Sequence, residues 1–296
     1  MKILISGSHG LVGTALIEAL ERESHDVFRL VRYAPGDHEV EWSPDRYSIA
    51  LAQLEGFDAV VHLAGESIAE GRWTEEKKQK IRDSRVRGTR LLGDALANLA
   101  HPPKSFICAS AIGFYGNRGD ELLTEASAPG DDFLSQVCTE WEDAAALAKQ
   151  KGIRVVNCRF GIILDKKGGA LKKMLPPFRM GVGGKIGSGK QWMSWIALDD
   201  VVGALQFALG HQSLDGPVNF VAPSPVRNSE FTKALGRALS RPTLFPIPAF
   251  AVRLVFGEMG EALLLGSQRV QPMRLNDSGY SFKYPELDAA FKHILR

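Results

Sequence analysis

Lys2-Ile-Leu-Ile-Ser6-Gly7-Ser8-His-Gly10-Leu11-Val12-Gly13-Thr-Ala-Leu-Ile-Glu-Ala-Leu-Glu-Arg22 opens the chain with an apolar run, a glycine-spaced turn and an amphipathic stretch. Lys2 to Ser6 reads as a buried strand and Leu11 to Arg22 as a helix, joined by Gly-x-x-Gly-x-x-Gly. Each glycine has a distinct task in such a turn. One permits the sharp reversal, the next lets backbone approach a diphosphate, and the last lets helix pack against strand. The start of the helix then offers free N–H groups and the positive end of its dipole to an anion. Gly7, Ser8, Gly10, Leu11, Val12 and Gly13 are therefore candidate phosphate-binding residues. The glycines alone are weak evidence; their place between a strand and a helix gives them weight.

The same alternation continues outward. Val27 to Val31, Glu39 to Trp42, Ala59 to Ala64, Ser105 to Ser110 and Ile153 to Cys158 read as strands. Thr74 to Ala100 and Asp132 to Gln150 read as helices. Strand–helix alternation implies an α/β fold, a doubly wound parallel sheet of Rossmann type with right-handed crossovers. After Phe160 the pattern changes. Gly168 to Lys190 reads as loops and short helices, Leu198 to Leu209 as a helix and Pro217 to Val221 as a late strand. Residues 1–165 are expected to form the dinucleotide-binding domain, with about 195–222 returning to it. Residues 166–194 and 223–296 would form a smaller, mainly helical C-terminal lobe.

A chain of 296 residues with 45% hydrophobic and 24% charged residues has the profile of a soluble globular protein. A net charge of +2 gives no reason to expect nucleic acid or an anionic membrane as partner. No secretory signal or membrane span is read. Cys108, Cys138 and Cys158 lack CxxC spacing, which argues against disulfides and zinc and suits a reducing cytoplasm.

The second strand ends in Val31-Arg32-Tyr33, where an NAD enzyme usually carries an acid for the ribose 2′-hydroxyl. A guanidinium there suits a 2′-phosphate, so Arg32 points to NADP(H). Leu63-Ala64-Gly65 closes the fourth strand with small residues that let backbone lie against the nucleotide. His62 reads as a core histidine rather than a base. Gly184 to Gln191 nearly spells a P-loop, but Gln191 stands where a Ser or Thr would hold magnesium and no strand precedes it. A loop near the substrate, anchored by Trp192 and Trp195, is the better reading.

With these residues in hand, the sequence resembles the extended short-chain dehydrogenase/reductase superfamily. Within it, the chain resembles the atypical YfcH-type epimerase family protein group. The matches are the glycine turn, His62-Leu-Ala-Gly65, Ser110-Ala-Ile-Gly-Phe-Tyr115-Gly, Arg72-Trp73, Ser84-Arg85, and the long run from Met174 to Gly189. The resemblance spans essentially the whole chain and implies NADP(H) binding. It also draws attention to Arg85, which replaces the Asn of an Asn-x-x-Gly-Thr pattern and would face the diphosphate.

The superfamily's chemistry uses a Ser with a Tyr-x-x-x-Lys pair, the Tyr moving the proton. Ser110 is present, but aligning Glu142 with the usual downstream acid puts Leu134 and Cys138 in the Tyr and Lys positions. Tyr115 is the nearest spare phenol, on a loop expected to line the cleft. Ser110 and Tyr115 are the candidate catalytic residues; no metal site is expected. Two functions stay open: an NADP-dependent oxidoreductase or epimerase acting on a small, for example nucleotide-linked, substrate, or a cofactor-binding sensor or scaffold.

Overall fold

Strand β1 (Lys2–Ser6) lies inside the sheet of this computed structural model, which describes residues 1–296. Helix α1 (Leu11–Arg22), β2 (Asp26–Val31), β3 (Glu39–Ser43) and β4 (Ser48–Ile49) extend one side. On the other come β5 (Ala59–His62), α2 (Glu75–Ala97), β6 (Ser105–Ala111), the short β7 (Leu122–Leu123), α3 (Phe133–Asp143), α4 (Ala146–Gln150) and β8 (Arg154–Phe160). The chain leaves through β9 (Ile162–Leu164), α5 (Gly169–Arg179), β10 (Trp192–Met193) and β11 (Trp195–Ala197). It returns with α6 (Leu198–Gly210) and β12 (Gly216–Phe220). Then follow β13 (Val226–Arg227), α7 (Asn228–Leu239), α8 (Ala249–Phe256), α9 (Glu258–Gly260), a π turn over Glu261–Leu265, β14 (Arg269–Val270), α10 (Met273–Asp277) and α11 (Leu287–Ile294).

The main sheet runs β12-β8-β6-β5-β1-β2-β3-β4. Every pair is parallel except the outermost, β3 with β4. Strand order reverses between β1 and β5, which opens a crevice at their carboxyl ends. Successive side chains of β1 go to opposite faces. Ile3 and Ile5 join Leu16, Leu20 and Leu205 under α1 and α6. Leu4 joins Val60, Leu92, Leu96 and Phe106 under α2. Both faces are covered, which is why the strand is apolar throughout rather than alternating. Each buried Leu or Ile contributes about 1.5–3 kcal/mol. The C-terminal lobe has its own cluster, including Leu171, Leu175, Trp195, Phe231, Leu235 and Phe291.

Two expectations need adjustment. The helix expected over 132–150 is two helices. Gly93 of α2 presses on the Ala144 carbonyl, where a Cβ would come within 3.3 Å, and the break falls there. The proline-containing stretch after Gly168 forms the eleven-residue α5, with Pro176 and Pro177 inside it. Leu171, Leu175 and Phe178 bury one face and hold it helical despite the missing donors. The P-loop-like glycines serve packing: a Cβ at Gly184 would overlap the Phe245 carbonyl, and Ile186 bridges to Ile247.

Candidate functional site

The first turn is shaped by crossings that leave no room for side chains. Gly7 has φ +69, and a Cβ on it would come within 2.7 Å of the Leu63 carbonyl carbon. A Cβ on Gly13 would overlap the Gly7 carbonyl oxygen. Gly10 donates its amide to Gly7 at 3.0 Å and serves as the N-cap of α1. No side chain caps this helix and no acid stands in its first turn. The amide groups at Leu11, Val12 and Gly13 therefore face the crevice as an open positive end. Ser8 is buried, and its carbonyl accepts from Thr14 Oγ1 at 3.2 Å, which closes the turn. The fit to a diphosphate is good: a cradle too tight for a Cβ at Gly7 and Gly13, with unspent donors at its floor.

The neighbouring β5 turn is tied to β1 by Ser6, whose Oγ lies 2.5 Å from His62 Nδ1. The same oxygen accepts from the amides of Leu63 and Ala64 at 3.2 and 3.3 Å. The amides of Leu63 and Ala64 are thus spent on the fold, and these two residues offer the crevice a smooth wall. His62 is fully buried, and burial pushes its pKa down to about 3, so it is a neutral clamp.

At the adenosine end, Arg32 directly follows β2 and is exposed. Tyr33 donates to Glu39 at 2.9 Å, and Glu39 also accepts from the Gly36 amide at 2.9 Å. The nearby acid is therefore occupied in holding the turn, and Arg32 is left free. The ring of Tyr33 lies 6.4 Å from that of His9, across the mouth of the crevice.

Arg85 reaches the crevice wall from α2. Its guanidinium carbon would lie 3.4 Å from a Cβ on Gly65, and it sits 5.0 Å from the centre of the Trp141 ring. It donates to the Ile81 carbonyl at 3.0 Å and has no carboxylate partner. Burial holds its pKa below the usual arginine range. The next residue of the loop, Glu66, pairs instead with Lys77 at 2.6 Å, and its amide donates to Ser84 Oγ. A half-buried guanidinium with no carboxylate partner is suited to an anionic ligand.

The other end of the crevice is closed by its own hydrogen bonds. Ser110 Oγ donates to Glu142 at 2.7 Å. Glu142 takes two guanidinium bonds from Arg159, each 2.8 Å. Arg159 also donates to Tyr115 Oη at 2.9 Å, and Tyr115 donates to Asn219 at 2.7 Å. Tyr115 was expected to line the cleft. The structure instead buries it completely, with its pKa raised by burial and its hydroxyl engaged twice. The reason is the β8 strand, which brings Arg159 beneath the loop. Ser110 is buried too, at 2% exposure. Leu134 and Cys138 both pack on Gly113, 3.3 and 3.7 Å from a Cβ built there. Burial pushes the Cys138 thiol up to about 12, so it is no nucleophile.

Ser6, Glu39, Trp141, Arg159 and Asn219 were not singled out from the sequence. Only Ser6 carried a local signal, as the polar end of an otherwise apolar strand. The others act through partners far away along the chain.

Residues 3–221 match the NAD dependent epimerase/dehydratase family, and residues 247–294 match a domain of unknown function. An epimerase family protein of Mycobacterium tuberculosis is 44% identical over 97% of this chain and 95% of its own. The mouse epimerase family protein SDR39U1 is 40% identical over the full length of both. Among solved structures, human epimerase family protein SDR39U1 with NADPH superposes with a TM-score of 0.92, at 38% identity and 99% coverage of each chain. A nucleoside-diphosphate sugar epimerase from Corynebacterium glutamicum gives a TM-score of 0.82 at 38% identity, covering all of this chain and 58% of that one. A family match over residues 3–221, with relatives 40 and 44% identical over nearly the whole chain, places the chain in the NAD dependent epimerase/dehydratase family.

Proposed function

We propose that the chain binds NADPH in this crevice and works as an NADP-dependent oxidoreductase or epimerase on a small substrate held between sheet and lobe. The observation that carries the proposal is the uncapped, acid-free start of α1 beside Gly7 and Gly13, where no Cβ fits. Gly7, Ser8, Gly10, Leu11, Val12 and Gly13 would hold the diphosphate, Arg32 the 2′-phosphate, and Leu63, Ala64 and Gly65 the facing wall. Arg85 adds a half-buried positive charge. Residues 1–165 with 195–222 would form the cofactor domain, and the remainder the substrate lobe. The human relative was crystallised with NADPH, which supports the same cofactor here. When bound, NADPH supplies a hydride. Ser110 would orient a substrate carbonyl by turning its hydroxyl hydrogen from Glu142 to the carbonyl oxygen, and solvent would supply the proton. Tyr115 has no part in this reading.

A specific observation favours a second reading, a cofactor-binding sensor or scaffold: both candidate hydroxyls are engaged in a closed network. The two readings separate in one experiment. NADPH binding is titrated by fluorescence while its oxidation is followed against a panel of carbonyls and sugar nucleotides. Turnover of any substrate is expected. Tight NADPH binding without turnover across the panel would overturn the enzyme, and equal affinity for NAD would overturn the NADP assignment.

A further inference from the structure

From the apolar ridge of the C-terminal lobe and the cations beside it, we infer that this face docks on an anionic lipid surface. The segment Leu244–Phe256 contains a single charge, Arg253. It includes α8 and exposes its apolar side chains instead of burying them. Leu244, Phe250 and Leu254 are 77, 70 and 72% exposed. Phe250 and Leu254 are one helical turn apart and share a face, opposite the buried Val252. Met180, at the end of α5, extends the ridge: the following Gly181 packs on Pro242, and Phe245 crosses Gly184. Single exposed apolar residues are ordinary, but a continuous ridge of this kind marks a surface that meets something.

The charges choose the occupant. Arg179, Lys185, Lys233 and Arg241 are exposed and flank the ridge. Arg241 Nε donates to the Arg179 carbonyl, and the Lys185 carbonyl accepts from Ile247, which fixes two of the four against it. Lys233 and Arg241 also line a shallow polar hollow of about 420 Å³ beside Pro242 and Thr243. Of the acids nearby, Glu258 pairs with Lys78, Glu261 with Arg253 and Asp288 with Arg237, while Glu230 is held by the Arg227 amide and keeps its charge. Cations therefore outnumber unpaired acids next to exposed Phe and Leu. A second copy docked through the same face would bring like charges together. A bilayer with anionic headgroups satisfies both halves, taking the apolar side chains below the phosphates and the cations among them. The attachment is peripheral, since no helix is long and apolar enough to cross a membrane.

The test is sedimentation of the full chain with vesicles of phosphatidylcholine alone and of phosphatidylcholine mixed with phosphatidylglycerol. Binding is expected only to the mixed vesicles and should weaken as salt is raised. Phe250→Asp with Leu254→Asp, and separately Lys233→Glu with Arg241→Glu, should each cut vesicle binding roughly tenfold or more while NADPH affinity stays unchanged. Should the α8 pair fail to fold by circular dichroism, Leu244→Asp makes the same test outside the helix. Absence of binding to mixed vesicles, or unchanged binding by the variants, overturns the inference. So does a dimer in analytical ultracentrifugation that Phe250→Asp dissociates. Because NADPH binding is measured on the same samples, failure here is distinct from failure of the cofactor assignment.

Discussion

The two ends of the crevice use their polar groups in opposite ways. At the start of α1 the donors are unspent: there is no side-chain cap and no acid in the first turn, and Gly7 and Gly13 have no room for a Cβ. At the start of α3 everything is spent. Asp132 accepts from the Ser135 amide at 2.8 Å, and Ser110, Glu142, Arg159, Tyr115 and Asn219 form one closed chain of hydrogen bonds. Helix starts normally satisfy their amides internally, so an end left open is informative. Unspent bonding capacity separates a ligand site from scaffolding more sharply than residue type does.

The contrast can be broken most severely at the closed end. Arg159→Ala would strand the buried Glu142 carboxylate and should destabilise the fold by about 3–5 kcal/mol, read as a shift of the urea midpoint. Next comes Gly13→Ala at the open end. The added methyl must displace the Gly7 carbonyl, and NADPH affinity should fall at least about 100-fold, roughly 2.7 kcal/mol, in a fluorescence titration. Arg32→Asp should cost about 1.5–3 kcal/mol of NADPH affinity, measured by calorimetry, and leave NAD binding nearly untouched. The smallest effect sharpens the comparison. Asp132→Ala removes a cap that α1 never had and should lower stability by about 1 kcal/mol in thermal unfolding, with NADPH affinity unchanged.

The open end was legible in the sequence because its signals are local. Lys2–Ser6, Gly7, Gly10, Gly13 and Leu11–Arg22 lie within one short stretch, and the strand and helix fall where the periodicity puts them. The closed end was not legible. Tyr115 meets partners 44 and 104 residues later in the chain, and nothing near Tyr115 announces them. The two- and three-residue strands β7, β9, β10, β11, β13 and β14 escaped for the same reason. They are too short for a period of two to register, and they pair only because the lobe folds back.

The order in which the sheet's last strand arrives has a consequence for how the protein is made. β8 is complete at Phe160, yet its neighbour β12 is not supplied until Gly216–Phe220, after the excursion through β9, α5, β10 and β11. A ribosome that has released residues 1–165 has exposed a long parallel edge at β8, with Val218 and Phe220 still missing from the core. A fragment cut at that boundary should stick to itself. The nascent chain must keep the same edge from pairing wrongly until the return strand emerges.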